Sequence, residues 1–449
     1  MTSALDTLRR DFGGDIIEPG AADYESAARS RLVAGSPAYV LRPKTVEDVQ
    51  TAVRFAAGSG LVLSVRGGGH GFPGFGTNDG GIVIDLGELA DIEVVDAERH
   101  LVRIGGGAHW GQVVDALAPH DLAISSGDTR SVGVGGLTLS GGIGWKVRKH
   151  GLALDNLVAA QLVTADGGVV TASADEHPDL FWAIRGGGGN FGVVTSFEFA
   201  AHRTTRVFFG KVTFPAAEAA TVLQGWADYL RTAPEELTSI TNVANPFTGG
   251  PEAPVEVHVA FDGDDPDAAA AALDPIRRLG TVLEDDVEPV AYADVLVEGG
   301  TPPPGIHVVA HDGLVDRDSV AEALRILAET GTSAGSPSIS IRSLGGAVSR
   351  VPSDATAYAH RGAELMVTTF TAGPAPVIEA ARPVLDGLWG RLAPYLSGAY
   401  ANFLTTADET DVTAVYPKPT YERLAMVKEQ YDPSNLFARN HNVRPGRMS

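Results

Sequence analysis

The sequence contains no cysteine, and this one absence removes disulfides, thiolate metal sites, cysteine nucleophiles and iron–sulfur clusters. Positive charge is also scarce. Against 56 acidic residues stand 34 Lys and Arg, a formal charge of −22, which opposes polyanions, so nucleic acid is not an expected partner. No apolar run reaches membrane-spanning length without charges or glycines, and Met1-Thr2-Ser3-Ala4-Leu5 lacks a basic region leading into an apolar one. No membrane association and a cytoplasmic location are expected. His307 and His311 stand at His-x-x-x-His spacing with no further ligand pattern around them, and they read as structural or surface residues, so no metal site is expected. What abounds is glycine, 54 residues in a chain of 449, long enough for two or three domains.

The glycines cluster in three places. The first, Ser64-Val65-Arg66-Gly67-Gly68-Gly69-His70-Gly71, sits between the apolar runs Leu61-Val62-Leu63 and Ile82-Val83-Ile84, which predicts His70 on a tight loop between strands. Such a loop lets backbone N–H groups approach a bulky anion with no Cβ in the way, which suits a pyrophosphate. The second runs from Ser126-Gly127-Asp128-Thr129 through Val132-Gly133-Val134-Gly135-Gly136 to Gly141-Gly142-Ile143-Gly144. It fails the G-x-G-x-x-G pattern, because a frame opened at Gly133 meets Thr138, and a nicotinamide site is disfavoured. The third is Gly186-Gly187-Gly188-Gly189-Asn190-Phe191-Gly192. One extended ligand explains three such loops more economically than three unrelated turns.

Between these clusters the periodicity alternates. Tyr39–Arg42 reads as a strand, and Thr45 caps a helix through Ala57; Ile92–Val95 and Leu101–Ile104 read as paired strands before a helix from Trp110. Ala160–Thr164 and Val169–Ala172 form a second pair. From about residue 205, strands such as Val255–Phe261, Ser338–Ile341 and Glu364–Phe370 alternate with helices Ala216–Leu230 and Ala268–Leu279, a pattern of helices covering one face of an antiparallel sheet. Pro302-Pro303-Pro304-Gly305 reads as a loop, and Tyr421–Gln430 as a closing helix.

Taken together, Arg66-Gly-Gly-Gly-His70-Gly, Val132-Gly-Val-Gly-Gly136, Gly141-Gly-Ile-Gly144, Asp155-Asn156, Leu180-Phe-Trp182, Gly186 to Val194 and Tyr431-Asp-Pro-Ser-Asn-Leu-Phe437 resemble a berberine-bridge-enzyme-type FAD-linked oxidase of the vanillyl-alcohol-oxidase superfamily. The resemblance covers nearly the whole chain. It implies an α+β fold with a two-part PCMH-type FAD-binding domain over residues 30–205, a substrate domain over 206–409 and a berberine-bridge-like segment over 410–449 that returns to the first.

The same resemblance implies the site. His70 would carry the flavin through its 8α-methyl; Thr129 stands where many relatives place a second, cysteine tether, so only a single covalent bond is possible. Arg66, Gly67, Gly68, Gly69, Gly71, Gly127, Gly133, Gly136, Gly141, Gly142 and Val194 would line the cofactor, with Asn440 and Asn442 at the flavin edge and Val132 at the position that admits oxygen. In Ser397-Gly-Ala-Tyr400-Ala-Asn402-Phe403, Tyr400 and Asn402 are expected on one face of a strand over the flavin. As base, the Tyr400 phenol would need its pKa lowered by Arg342, Arg350, His360 or Arg361, while Tyr358 and Tyr416 read as packing residues. The implied activity is oxidation of an alcohol, sugar, phenolic or polycyclic small molecule with O2 as acceptor. A dehydrogenase or oxidative cyclase of secondary metabolism, and a silent FAD-binding module, stay open.

Overall fold

The computed structural model describes residues 4–243, 253–333 and 335–446. Thr45 caps the helix Val46–Ser59 by accepting from the Asp48 N–H, while the Asp48 carboxylate accepts from the Thr45 N–H at 3.1 Å, and Gly60 closes the helix in the left-handed region. Its buried stripe, Val49, Ala52, Val53 and Ala56, packs on Leu41, Leu63, Ile82 and Ile84 of a four-stranded sheet. The strands lie in the order Asp15–Ile17, Tyr39–Arg42, Ile82–Asp85, Leu63–Arg66. Leu63–Arg66 runs parallel to Ile82–Asp85. Parallel neighbours need a crossover and not a tight turn, so the expected tight loop around His70 is instead the long connection 67–81.

A second, five-stranded sheet orders Ile92–Asp96, Leu101–Gly105, Val193–Ala200, Leu157–Val163 and Val169–Ser173, all antiparallel. The two expected hairpins are both present in it. The second glycine cluster opens the short helix Val134–Ser140 at Gly133, and Pro178–Ile184 is also helical; dense glycine hid the first of these.

The third sheet has eight strands: Glu284–Asp285, Arg206–Phe214, Val255–Phe261, Leu237–Val243, Ser338–Ser343, Ala363–Gly373 and His307–Asp316 in order, with Glu288–Ala291 beside Arg206–Phe214. Helices Ala219–Leu230, Pro266–Arg277, Val320–Gly331 and Ala375–Leu392 cover one face, where Trp226, Ile276, Leu327 and Leu388 join Val257, Ile341 and Val367 in one core. The period of two sends the neighbours of these strand residues the other way. Leu314 and Met366 thus meet Ile143, Leu154, Tyr358 and Tyr400 on the opposite face.

The chain returns through the helix Lys418–Tyr431. Lys428 is fully buried, donating to Asp432 Oδ2 at 2.7 Å, Asn190 O at 2.6 Å and Phe437 O at 3.0 Å. Asn190 fixes its own loop through Gly187 O, and it also binds the tail, donating to His441 O at 3.1 Å and accepting from the Val443 N–H at 3.0 Å.

Candidate active site

Two glycine loops meet backbone to backbone. A Cβ on Gly68 would stand 2.3 Å from Gly133 N, and one on Gly133 would stand 2.3 Å from Gly68 N, so glycine is required on both sides of the contact. His70 follows the first loop. Its Nε2 lies 3.0 Å from Ser131 Oγ, and burial, with the positive field of Arg31 and His109, lowers its pKa to about 4. The imidazole is therefore neutral near pH 7. Thr129 donates to Asp128 Oδ1 at 2.9 Å and its backbone pairs with Val297. Val132 is half-buried against the core, Gly71 and Gly136 are exposed, and Gly67 and Gly69 are half-buried.

Three residues from the expected cofactor surface spend themselves elsewhere. The Arg66 guanidinium donates to Ala27 O at 2.7 Å, Arg29 O at 2.9 Å and Asp85 Oδ2 at 2.9 Å, which makes its side chain a brace for the N-terminal segment. The Val194 side chain belongs to the apolar core, and Gly127 is buried beneath Leu137.

Opposite the loops stands Tyr400, buried, with its phenolic oxygen accepting from the Gly142 N–H at 2.9 Å and from Asn402 Nδ2 at 2.9 Å. The two side chains meet as expected, but across a 3-10 turn, Ala401–Phe403, and not along a strand. Gly141 lets the ring approach: at φ 148°, a Cβ there would lie 2.8 Å from Tyr400 Cε2. The lowering that a base role would require is absent. Burial pushes its pKa up to about 12, against the pull of the Gly142 and Asn402 hydrogen bonds and the weaker field of Arg342. The other candidate cations serve elsewhere: Arg361 forks onto Asp155 at 2.7 and 2.8 Å, Arg350 pairs with Glu235, and His360 bonds Val415 O. Tyr358 and Tyr416 are buried, their pKa values raised by burial.

Sequence reasoning missed Asp312 entirely. It lies within the strand His307–Asp316, accepts from the Tyr400 N–H and from Thr368 Oγ1, and burial pushes its carboxyl up to about 8. An acid inside the largely apolar run Val308 to Val315 was its one available signal. Three half-buried rings complete this side: Phe72 lies 6.0 Å from Phe370 and 6.2 Å from Phe403.

The tail closes the site's edge. Arg439 donates to Thr77 O at 2.9 Å and His441 meets Phe75 edge-on at 5.5 Å, so residues 437–443 lie along the His70 connection. Asn440 Oδ1 and Asn442 Oδ1 are buried without a hydrogen-bond partner.

A bare-backbone cradle suits a pyrophosphate without lysine, a neutral imidazole suits covalent attachment, and buried carboxamide oxygens suit the N–H of a flavin ring; the residues present fit FAD. Cradle, facing sheet and closing tail define a flavin-dependent oxidoreductase. Residues 37–173 match the FAD binding domain family and residues 399–444 the family described as berberine and berberine like. The chain belongs to this berberine-like family of FAD-linked oxidases: it is 33% identical over 96% of its length to (R)-6-hydroxynicotine oxidase of Paenarthrobacter nicotinovorans, covering 97% of that protein. It is also 30% identical to xylooligosaccharide oxidase of Thermothelomyces thermophilus, covering 92% of this chain and 88% of that one. Among solved structures, that of 6-hydroxy-D-nicotine oxidase from Arthrobacter nicotinovorans superposes with a TM-score of 0.86 at 30% identity, covering 97% and 98% of the two chains. The protein is an FAD-linked oxidase.

Proposed function

We propose that the protein oxidises a small hydroxylated molecule, an alcohol, a sugar or a phenolic or polycyclic metabolite, with FAD held by a single covalent bond to His70 and with O2 as electron acceptor. The relatives named for hydroxynicotine and for xylooligosaccharide support that breadth of substrate. The three larger sheets support a division into an FAD-binding domain over residues 30–205, a substrate domain over 206–409 and a returning segment from 410. FAD, when bound, supplies the hydride acceptor and the route of the electron pair to O2.

The chain's own residues do the rest. His70, uncharged, offers a nitrogen lone pair for the bond to the cofactor; Thr129, a hydroxyl where relatives carry a thiol, forms no second one. Gly67, Gly68, Gly133 and Gly136 bring amides to the pyrophosphate, Gly141 and Gly142 border the ring, and Asn440 and Asn442 accept from its edge. Val132, small and half-buried, leaves room for oxygen. Tyr400 holds the proton of the substrate hydroxyl. The observation that carries this reading is the pair of donors on its oxygen, Gly142 N–H and Asn402 Nδ2, both at 2.9 Å, because hydrogen bonds to the oxygen favour the phenolate against the cost of burial.

Anaerobic mixing with sugars, phenolic alcohols and polycyclic metabolites, followed by air, tests the proposal. A substrate bleaches the flavin and air restores it with release of H2O2. Bleaching without reoxidation points to a dehydrogenase; no bleaching across all three classes removes the reading.

A further inference from the structure

Arg342 is buried with two donors unused. Its Nη2 pairs with Asp128 Oδ2 at 2.6 Å, while Nε and Nη1 have no hydrogen-bond partner. Buried guanidinium donors are rarely left unpaired, since each forfeits its water without repayment. The strand register shows where they sit. Arg342 is opposite Met366, Thr368 is opposite Asp312, and Phe370 is opposite Ser338, so Arg342, Phe370 and Asp312 share the sheet face that looks away from the covering helices and toward Tyr400.

The Arg342 guanidinium carbon lies 5.4 Å over the Phe403 ring, a cation–π contact that also fixes the plane of the guanidinium. Phe403 is 6.0 Å from Phe370, 5.8 Å from Tyr400 and 6.2 Å from Phe72, and Phe72 is 6.0 Å from Phe370. These rings come from three separate segments: the connection carrying His70, the substrate-domain sheet and the turn after Tyr400. They form a half-buried aromatic cluster with one buried cation at its side.

We propose that Arg342 sets the specificity of the substrate site and that the substrate is an aromatic ring bearing an anionic oxygen, a carboxylate or a phenolate. The inference rests on the reading of the Tyr400 face as the substrate side of the flavin. The ring lies against Phe72, Phe370 and Phe403, and the oxygen accepts from Arg342 Nε or Nη1. A charge-assisted bond of this kind gains most where water is excluded. Asp128, the one ionised acid in contact with Arg342, is committed to Nη2. Asp312, on the same sheet face, is held protonated near neutrality by burial and does not repel the incoming charge.

Titration of the yellow holoenzyme tests this with three probes: benzoate, its uncharged analogue benzamide, and cyclohexanecarboxylate, which keeps the charge and lacks the ring. The readouts are calorimetry and the perturbation of the flavin absorbance, neither of which requires turnover. Benzoate is expected to bind about tenfold or more tightly than either analogue, the worth of one charge-assisted hydrogen bond. Arg342→Gln should bring benzoate down to the level of benzamide, and Arg342→Lys should restore part of the difference. If the Arg342→Gln protein loses its flavin, Phe370→Leu serves instead, and there benzoate should fall to the level of cyclohexanecarboxylate. Equal binding of benzoate and benzamide, no binding of any probe, or an unchanged preference in Arg342→Gln overturns the inference. Binding seen by calorimetry with no flavin perturbation fails the placement of the substrate side itself; perturbation without charge preference fails only the role of Arg342.

Discussion

The two sides of the site are built from different materials. On the side proposed for the cofactor the chain presents backbone: Gly68 against Gly133, with side chains absent where the loops meet. On the side proposed for the substrate it presents side chains brought from afar, as when Tyr400 reaches the Gly142 N–H and Asn402 joins it on the same oxygen. Backbone recognition needs runs of one residue type, and these show in a sequence as plain text. Side-chain recognition needs only that a strand and a turn meet, and single residues such as Asp312 carry no local mark. Substrate can change on such a face while the cradle stays the same.

The largest test of that contrast is His70→Ala. With the proposed attachment point gone, acid-precipitated protein should turn from yellow to colourless and free FAD should appear in the supernatant, whereas the wild-type pellet stays yellow and yields a flavinylated peptide containing His70. A colourless wild-type pellet would mean the cradle holds FAD without any bond.

On the substrate side the matching test is Tyr400→Phe. General-base catalysis typically contributes about 10²–10⁴-fold, so flavin reduction measured by stopped flow should slow by that order, with the flavin still attached. A change under about threefold would return the ring to a packing role. The pH profile sharpens this result. Because burial raises the Tyr400 phenol to about 12, the deprotonated fraction grows with pH, and the wild-type reduction rate should climb about tenfold per pH unit through the alkaline range. In Tyr400→Phe that climb should vanish; a flat wild-type profile would assign the proton to another group.

How far each side could be read in advance follows from the same contrast. The Thr45 capping box, the paired strands at Ile92 and Leu101, and the helix-covered sheet were all legible, because caps, period two and period 3.6 are local signals. Three things were not. The connection after Arg66 looked like a tight turn because nothing near it tells a parallel strand partner from an antiparallel one. The Tyr400 segment reads as a strand on the family resemblance, and four residues are too few for a period that separates a strand from the 3-10 turn found there. Whether a cation offsets the burial of the Tyr400 phenol could not be read, because burial is a property of the assembled molecule, and neither its depth nor the weakness of the Arg342 field is written locally.

The tail offers a test between these extremes, since it ties backbone to backbone through one side chain. Lys428 is fully buried and bonds Asp432, Asn190 O and Phe437 O. Lys428→Met removes the cation and leaves the Asp432 carboxylate buried with only the N–H groups of Leu436 and Phe437 and the Ser434 hydroxyl. Breaking one half of such a pair costs about 3–5 kcal/mol. Chemical denaturation of the holoenzyme should show a loss of that size; a loss below about 1 kcal/mol, the scale of an exposed pair, would show that the tail is held by its apolar contacts alone.

The smallest effect expected separates structure from ligand at a single atom. Gly136 lies inside the helix Val134–Ser140, exposed, and a Cβ placed there meets nothing within 4 Å of the protein. By helix propensity alone, Gly136→Ala should stabilise the fold by up to about 1 kcal/mol. If the cofactor lies against this backbone, the new methyl group meets it instead, and FAD binding weakens. The two effects separate in a His70→Ala background, where FAD binds without a covalent bond and can be removed. There Gly136→Ala should raise the melting temperature of the FAD-free protein slightly, while FAD affinity, read by fluorescence titration, falls several-fold. An unchanged affinity would take Gly136 out of the cofactor surface and leave Gly68 and Gly133 as the contact that needs bare backbone.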